Sequence, residues 1–136
     1  MKRTKIRIEK ITLHREFDDS PDLSFLQQDY LEVKNEKERL KYIRQDKQRL
    51  EDYYNEKWSM LGIIAKAEVS YEMTNVYPKG NRRIERFTSG GLWGIESDSG
   101  EKCLKEIEAE QLEDLKLHLK TFGVDISNFK SKIVIE

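Results

Sequence analysis

The residues able to do chemistry fall into three charged groups. Lys79, Arg82, Arg83 and Arg86 make one short stretch locally basic, with Tyr77 and Phe87 beside it. Cations interleaved with aromatics grip a nucleic-acid backbone and stack on its bases. The same pattern also describes a sheet edge kept charged so that it does not aggregate. Glu96, Asp98 and Glu101 bring three carboxylates close together in sequence. A hard cation takes such oxygens, but helix capping and the helix dipole ask for the same residues. Glu106, Glu110 and Glu113, with Glu108 and Asp114, load a later segment with acid. A solvated helix face accounts for that loading. The sharper reading is a surface that imitates phosphate and occupies the nucleic-acid groove of another protein.

Other chemistry is thinly represented. His14 and His118 are the only histidines, far apart in the chain. No Ser, Thr or Cys sits in a nucleophile-elbow or triad motif, and neither a Walker loop nor a dinucleotide fingerprint is present. Cys103 is the single cysteine. It excludes an internal disulfide and a multi-cysteine zinc site, and points to a reducing compartment. The expectation is therefore a protein without catalytic residues, metal or cofactor. A net charge of -1 gives no bulk attraction to nucleic acid or membrane. The charged start lacks the apolar core of a signal peptide, and no apolar run reaches transmembrane length. A cytoplasmic location with no membrane partner is expected.

The elements that must position these groups read as one domain, residues 1–136. Ile6 and Ile8, then Ile11 and Leu13, alternate with opposite parity, as in a strand with a bulge near Glu9-Lys10. Asp18-Asp19-Ser20-Pro21-Asp22 is loop-like, with Leu23, Phe25 and Leu26 pinning it. Asn35 followed by Glu38 signals a helix start, and Gly62 is the first stop signal, so the spacing predicts a long helix at about 36–61. Such a helix is about 40 Å long, against a radius of gyration of about 14 Å for a domain of this size. It either crosses its own sheet or projects, in which case Leu40, Ile43, Leu50 and Tyr54 form a seam for a second copy or a partner helix.

Residues 63–77 alternate apolar and polar, the mark of an antiparallel strand with one face in water. A Pro78-Lys79-Gly80-Asn81 turn leads to a second strand over 82–88. Ser89-Gly90-Gly91 reads as a bulge or turn. Leu92 to Glu96 then forms a short strand with Trp93 and Ile95 on one face. Asp98 with Glu101 opens a helix over 101–122, striped by Leu104, Ile107, Leu112, Leu115, Leu119 and Phe122 and closed by Gly123. Residues 132–135 can add an edge strand. The predicted class is α+β: a small antiparallel sheet of about four strands formed partly by a three-strand meander, with one long helix and one C-terminal amphipathic helix packed on it.

Two stretches carry a resemblance. They are Arg15-Glu16-Phe17-Asp18-Asp19-Ser20-Pro21-Asp22-Leu23-Ser24-Phe25-Leu26, and Ser89-Gly90-Gly91-Leu92-Trp93-Gly94-Ile95-Glu96-Ser97-Asp98-Ser99 continuing into Leu104, Glu106, Glu110, Leu112, Leu115 and Leu119. They resemble a family of small proteins encoded by tailed bacteriophages, prophages and plasmids. The likeness covers the first strand with its loop, then most of residues 62–123. Residues 32–58 look like the part where members differ in length. The family brings no established activity and no catalytic residues to carry over. It implies a mobile-element accessory protein in the bacterial cytoplasm, acting by stoichiometric binding of a host or defence protein. Antagonism of a CRISPR effector or restriction enzyme is the specific expectation, with Leu92, Trp93, Glu96, Asp98, Glu106, Glu110 and Glu113 as partner-binding residues. The alternatives are a nucleic-acid-binding regulator using Lys79, Arg82, Arg83 and Arg86, and a small-ligand binder at residues 89–98.

Overall fold

The computed structural model describes residues 3–73, 81–124 and 134–135, with side chains over 6–72 and 81–124. The protein is α+β. In chain order the elements are β1 (Arg3–Phe17), α1 (Glu36–Tyr54), β2 (Met60–Met73), β3 (Arg82–Thr88), β4 (Leu92–Glu96), α2 (Glu101–Phe122) and β5 (Val134–Ile135). A 3-10 turn, Ser24–Leu26, lies between β1 and α1. β1 and β2 pair antiparallel along their length, with a slip between Ile8 and Lys10 where the parity of the apolar residues changes. That slip is the bulge expected near Glu9. β5 adds a two-residue parallel edge beside Thr12 and Leu13.

The meander expected from 63–96 does not form. β3 pairs with β2 over residues 66–72, and β4 pairs with the same edge of β2 over 60–63. Residues 89–91 are therefore a jog in one long edge strand and not a reversal. The Pro78-Lys79-Gly80 turn lies outside the described residues.

Alternation along β2 sends Ile63, Ala65, Ala67, Val69 and Tyr71 to one face, all buried. There α2 lays Leu115 and Leu119 against Ile11, Leu13, Ala65, Ala67 and Val69. Leu104 joins Ile63 and Ile95. Gly123 ends α2 in the left-handed conformation (φ +96°), as a Cβ-free residue does at low cost.

α1 ends at Tyr54, well short of Leu61. Asn35 does cap its start, accepting from the Glu38 N–H at 3.2 Å. No α1 residue is buried. Leu50 and Tyr53 pack on Trp58, Met60 and Leu26, so the helix is seated mainly through its C-terminal turns. Trp58, expected beside the helical stripe, lies past the helix end, where its indole N–H donates to the Arg49 carbonyl at 2.8 Å. The helix ends at the Asn55 C-cap, and Trp58 and Met60 beyond it are buried.

Candidate protein-binding site

The jog at residues 89–91 is held by α2. Ser89 N–H donates to the Ala65 carbonyl at 2.8 Å, and Ala65 N–H donates to Ser89 Oγ at 2.9 Å. The serine hydroxyl thereby replaces a ladder carbonyl. Gly90 N–H donates to Asp114 Oδ2 at 2.7 Å, and Gly91 N–H to Gln111 Oε1 at 2.8 Å. A carboxylate and an amide of α2 occupy the donors that a phosphate would need, so this glycine pair is not an anion nest. Gly91 has φ +79°, which glycine adopts freely.

The jog delivers β4 with a second irregularity. Gly94 has φ +76°, and the pairing slips between Leu61 and Ile63. A bulge of this kind changes the side to which the next residue points. Ile95 turns toward Leu104 and is buried. Trp93 turns to the opposite face, over Gly62, and is 49% exposed. The expectation that both share one face is thereby corrected.

Gly62 is what makes room for the indole. A methyl there would come within 2.5 Å of Trp93 Cδ2 and Cζ3. One face of the ring rests on the strand and the rest is open. Leu92 and Phe25, both exposed, lie nearby. A groove of about 520 Å³ passes between them, lined also by Met60, Ile95, Cys103 and Ile107. Cys103 is a half-buried wall residue of this groove.

The acidic candidates divide. Arg49 of α1 binds Asp98 through two 2.7 Å contacts and Glu96 through one of 3.1 Å. Its guanidinium also stacks over the Trp58 ring, 3.7 Å from the centroid. The guanidinium contact holds the Asp98 carboxyl below its ordinary range. Glu96 and Asp98 therefore clamp α1 onto the β4–α2 connection. Asp98 does not cap α2, whose N-cap is Gly100 without a side-chain bond. Glu101 is taken by Arg15 at 2.9 and 3.0 Å, so the three carboxylates do not gather. Arg15 also reaches Glu108 at 2.9 Å. Glu108 is only 4% exposed and lies within the apolar stripe of α2, so it does not belong to a solvated face. Glu106, Glu110 and Glu113 do remain exposed, Glu113 with Lys116 at 2.8 Å.

The basic stretch does not form one patch. Arg82 and Arg86 face away from α2, where they meet Ser70 at 2.9 Å and Glu68 at 3.4 Å. Arg83, opposite Tyr71, points to the other side. Lys79 lies outside the described residues. The helical seam also divides: Leu40 and Tyr54 are exposed, Ile43 is half-buried, and Leu50 packs inward. The inward side of α1 is instead marked by Tyr42 against Tyr30, Asp46 on the Tyr30 hydroxyl, Arg49 and Tyr53. Alternation of apolar residues could not reveal this face, because polar partners make much of it.

His14 accepts or donates at 2.7 Å with Thr12 Oγ1. His118 Nδ1 lies 2.9 Å from the Thr88 carbonyl. No helix among the described residues is long and apolar enough to cross a membrane. No family model, no curated protein and no solved structure matches the chain.

Proposed function

We propose that the protein acts by stoichiometric binding of another protein, with Trp93 as the anchor. The observation that carries this reading is a half-exposed indole seated on a glycine that a methyl would obstruct. A rigid aromatic loses little freedom on binding, which is why tryptophan dominates binding energy at many interfaces. Leu92 and Phe25 extend the apolar surface, while Glu96 and Asp98 shape it through Arg49. The resemblance set out above supplies the biological setting: a phage-type accessory protein whose partner is a bacterial defence enzyme. The basic stretch supports nucleic-acid binding less well, because Arg82 and Arg86 are engaged within the sheet and Arg83 faces elsewhere.

The test is capture of a partner from bacterial cells with three tagged proteins: the parent, Trp93→Ala, and a variant with Glu106, Glu110 and Glu113 changed to Lys. Circular dichroism confirms folding of each. Loss of an anchor tryptophan costs about 2 kcal/mol or more, so Trp93→Ala should lose the partner. The lysine variant should keep it. The opposite pattern would place binding on the acidic helix face and overturn the Trp93 reading.

A further inference from the structure

Beside Trp93 the sheet has an unprotected edge. Among the described residues β4 pairs with β2 alone, so its other side forms no ladder. The rest of this long edge is guarded. β3 carries Arg82, Arg83, Glu85 and Arg86, and charge on an edge strand discourages further pairing. At the jog, Asp114 and Gln111 take the Gly90 and Gly91 N–H groups, which removes them as donors to another strand. β4 has no charge from Leu92 to Ile95 and no proline.

Register shows where the main chain of β4 points. Ser97 N–H donates to the Ser59 carbonyl at 2.8 Å, whereas the Met60 carbonyl turns the other way and accepts from Asp18 N–H at 3.0 Å. Glu96 lies opposite Met60, so the alternation of an antiparallel ladder turns Glu96 N–H away from β2. The Glu96 carbonyl is already used by Ser99 N–H and Oγ. At Gly94 an added Cβ would meet nothing within 4 Å, so the space beside the bulge is open. The groove of about 520 Å³ follows this edge, from Trp93 on one face of the sheet to Cys103 and Ile107 of α2 on the other. Among the described residues that line it only Glu96 is charged, and Arg49 neutralises it at 3.1 Å.

An edge with outward main-chain groups, apolar walls and no free charge is complementary to an extended, uncharged segment. Building on the Trp93 reading, we propose that the partner docks by adding such a segment to the sheet as a strand beside β4. Alternate side chains of that strand would face Trp93 and the Cys103–Ile107 wall in turn. The charged β3 and the capped jog confine the added strand to β4.

The probe is the tightest-binding peptide selected on the whole protein from a displayed library of random sequences. Synthetic copies, each N-methylated at a single residue, are titrated by fluorescence anisotropy. An N-methyl group removes a donor and obstructs pairing, so affinity should fall about tenfold or more at every second residue and hold at those between. Exchange of Glu96 N–H, followed by NMR, should slow when the peptide is bound. Uniform or absent sensitivity to N-methylation, unchanged Glu96 exchange, a helical bound peptide, a charged consensus, or a library that yields no binder would each overturn the proposal. Trp93→Ala separates it from the reading on which it rests: the peptide should weaken while the period-two pattern persists. A period-two pattern in a peptide indifferent to Trp93→Ala would remove the Trp93 anchor and leave strand addition standing. Dependence on Trp93 without that pattern would do the reverse.

Discussion

Replacing Gly62 by Ala should displace Trp93 while leaving its chemistry intact. Gly62 shows no positive φ, so alanine suits its backbone; the three nearest atoms to the added methyl all belong to the indole, Cε3 together with Cδ2 and Cζ3 at 2.5 Å. A fused ring has no flexible end to yield, so it must swing off the strand. A tryptophan buries about 250 Å² when enclosed, and Trp93 is 49% exposed. About 125 Å² is then at stake, an upper bound of about 3 kcal/mol at 25 cal/mol per Å². Gly→Ala returns about 0.4–1 kcal/mol by restricting the unfolded chain. The net expectation is a loss of about 2 kcal/mol by urea unfolding. Trp93→Ala alone should cost a similar amount, below the 3–5 kcal/mol typical of an enclosed tryptophan. The double variant should be no less stable than Trp93→Ala, because the clash has gone; this non-additivity is the signature of direct contact. Fluorotryptophan labelling gives one resonance for Trp93 and one for Trp58, and only the first should move in Gly62→Ala. A Gly62→Ala protein as stable as the parent, with both resonances unmoved, would refute the placement of the ring.

The remaining predictions concern the ion pairs. Arg15→Met should cost about 3–5 kcal/mol by urea unfolding, since it strands the buried Glu108 carboxylate; adding Glu108→Leu should restore most of the loss. The Asp98 carboxyl is held below its ordinary value by Arg49, so its contribution is present above the unfolded value of about 3.9 and fades as pH falls through the lower folded value. Asp98 is half-exposed, which keeps the effect small. Amide exchange in α1 should therefore accelerate below about pH 4 in the parent, and an Arg49→Gln variant should lose that acid-dependent step. An unchanged acid response in Arg49→Gln would remove the clamp from the account.

Local signals were legible in the sequence. Asn35, Gly123, the β1 bulge and the alternation along β2 each depend on neighbours in the chain, and the chain shows each of them. The end of α1 carries only a weak local signal, Asn55 at the C-cap, and coincides with a tertiary event, the burial of Trp58 and Met60. Glu108 was hidden for a similar reason: only the arrival of Arg15 from β1 makes a carboxylate tolerable in an apolar stripe. Trp93 stood out by type, but its side of the sheet follows from the Gly94 irregularity, which shifts every parity count after it. As a local signal Gly62 is a helix stop; in the fold its partner, Trp93, lies 31 residues away in sequence.

With charged residues at 38%, the chain invites an account of function in terms of charge. Many of its charges nevertheless close the fold. Arg15 and Arg49 each join elements distant in sequence. Asp114 holds the Gly90 N–H, and Arg86 answers a carboxylate on the neighbouring strand. Removing any of these to make a contact would cost the fold an internal bond. Trp93, Leu92 and Phe25 carry no such obligation, since their exposed atoms have water as the competing neighbour and gain by leaving it. The charged links also fix the anchor: Asp114 and Gln111 hold residues 90–91, the jog sets the course of β4, and β4 lays Trp93 on Gly62. The polar network thus acts upstream of the proposed binding, positioning the apolar side chain that we assign to the partner.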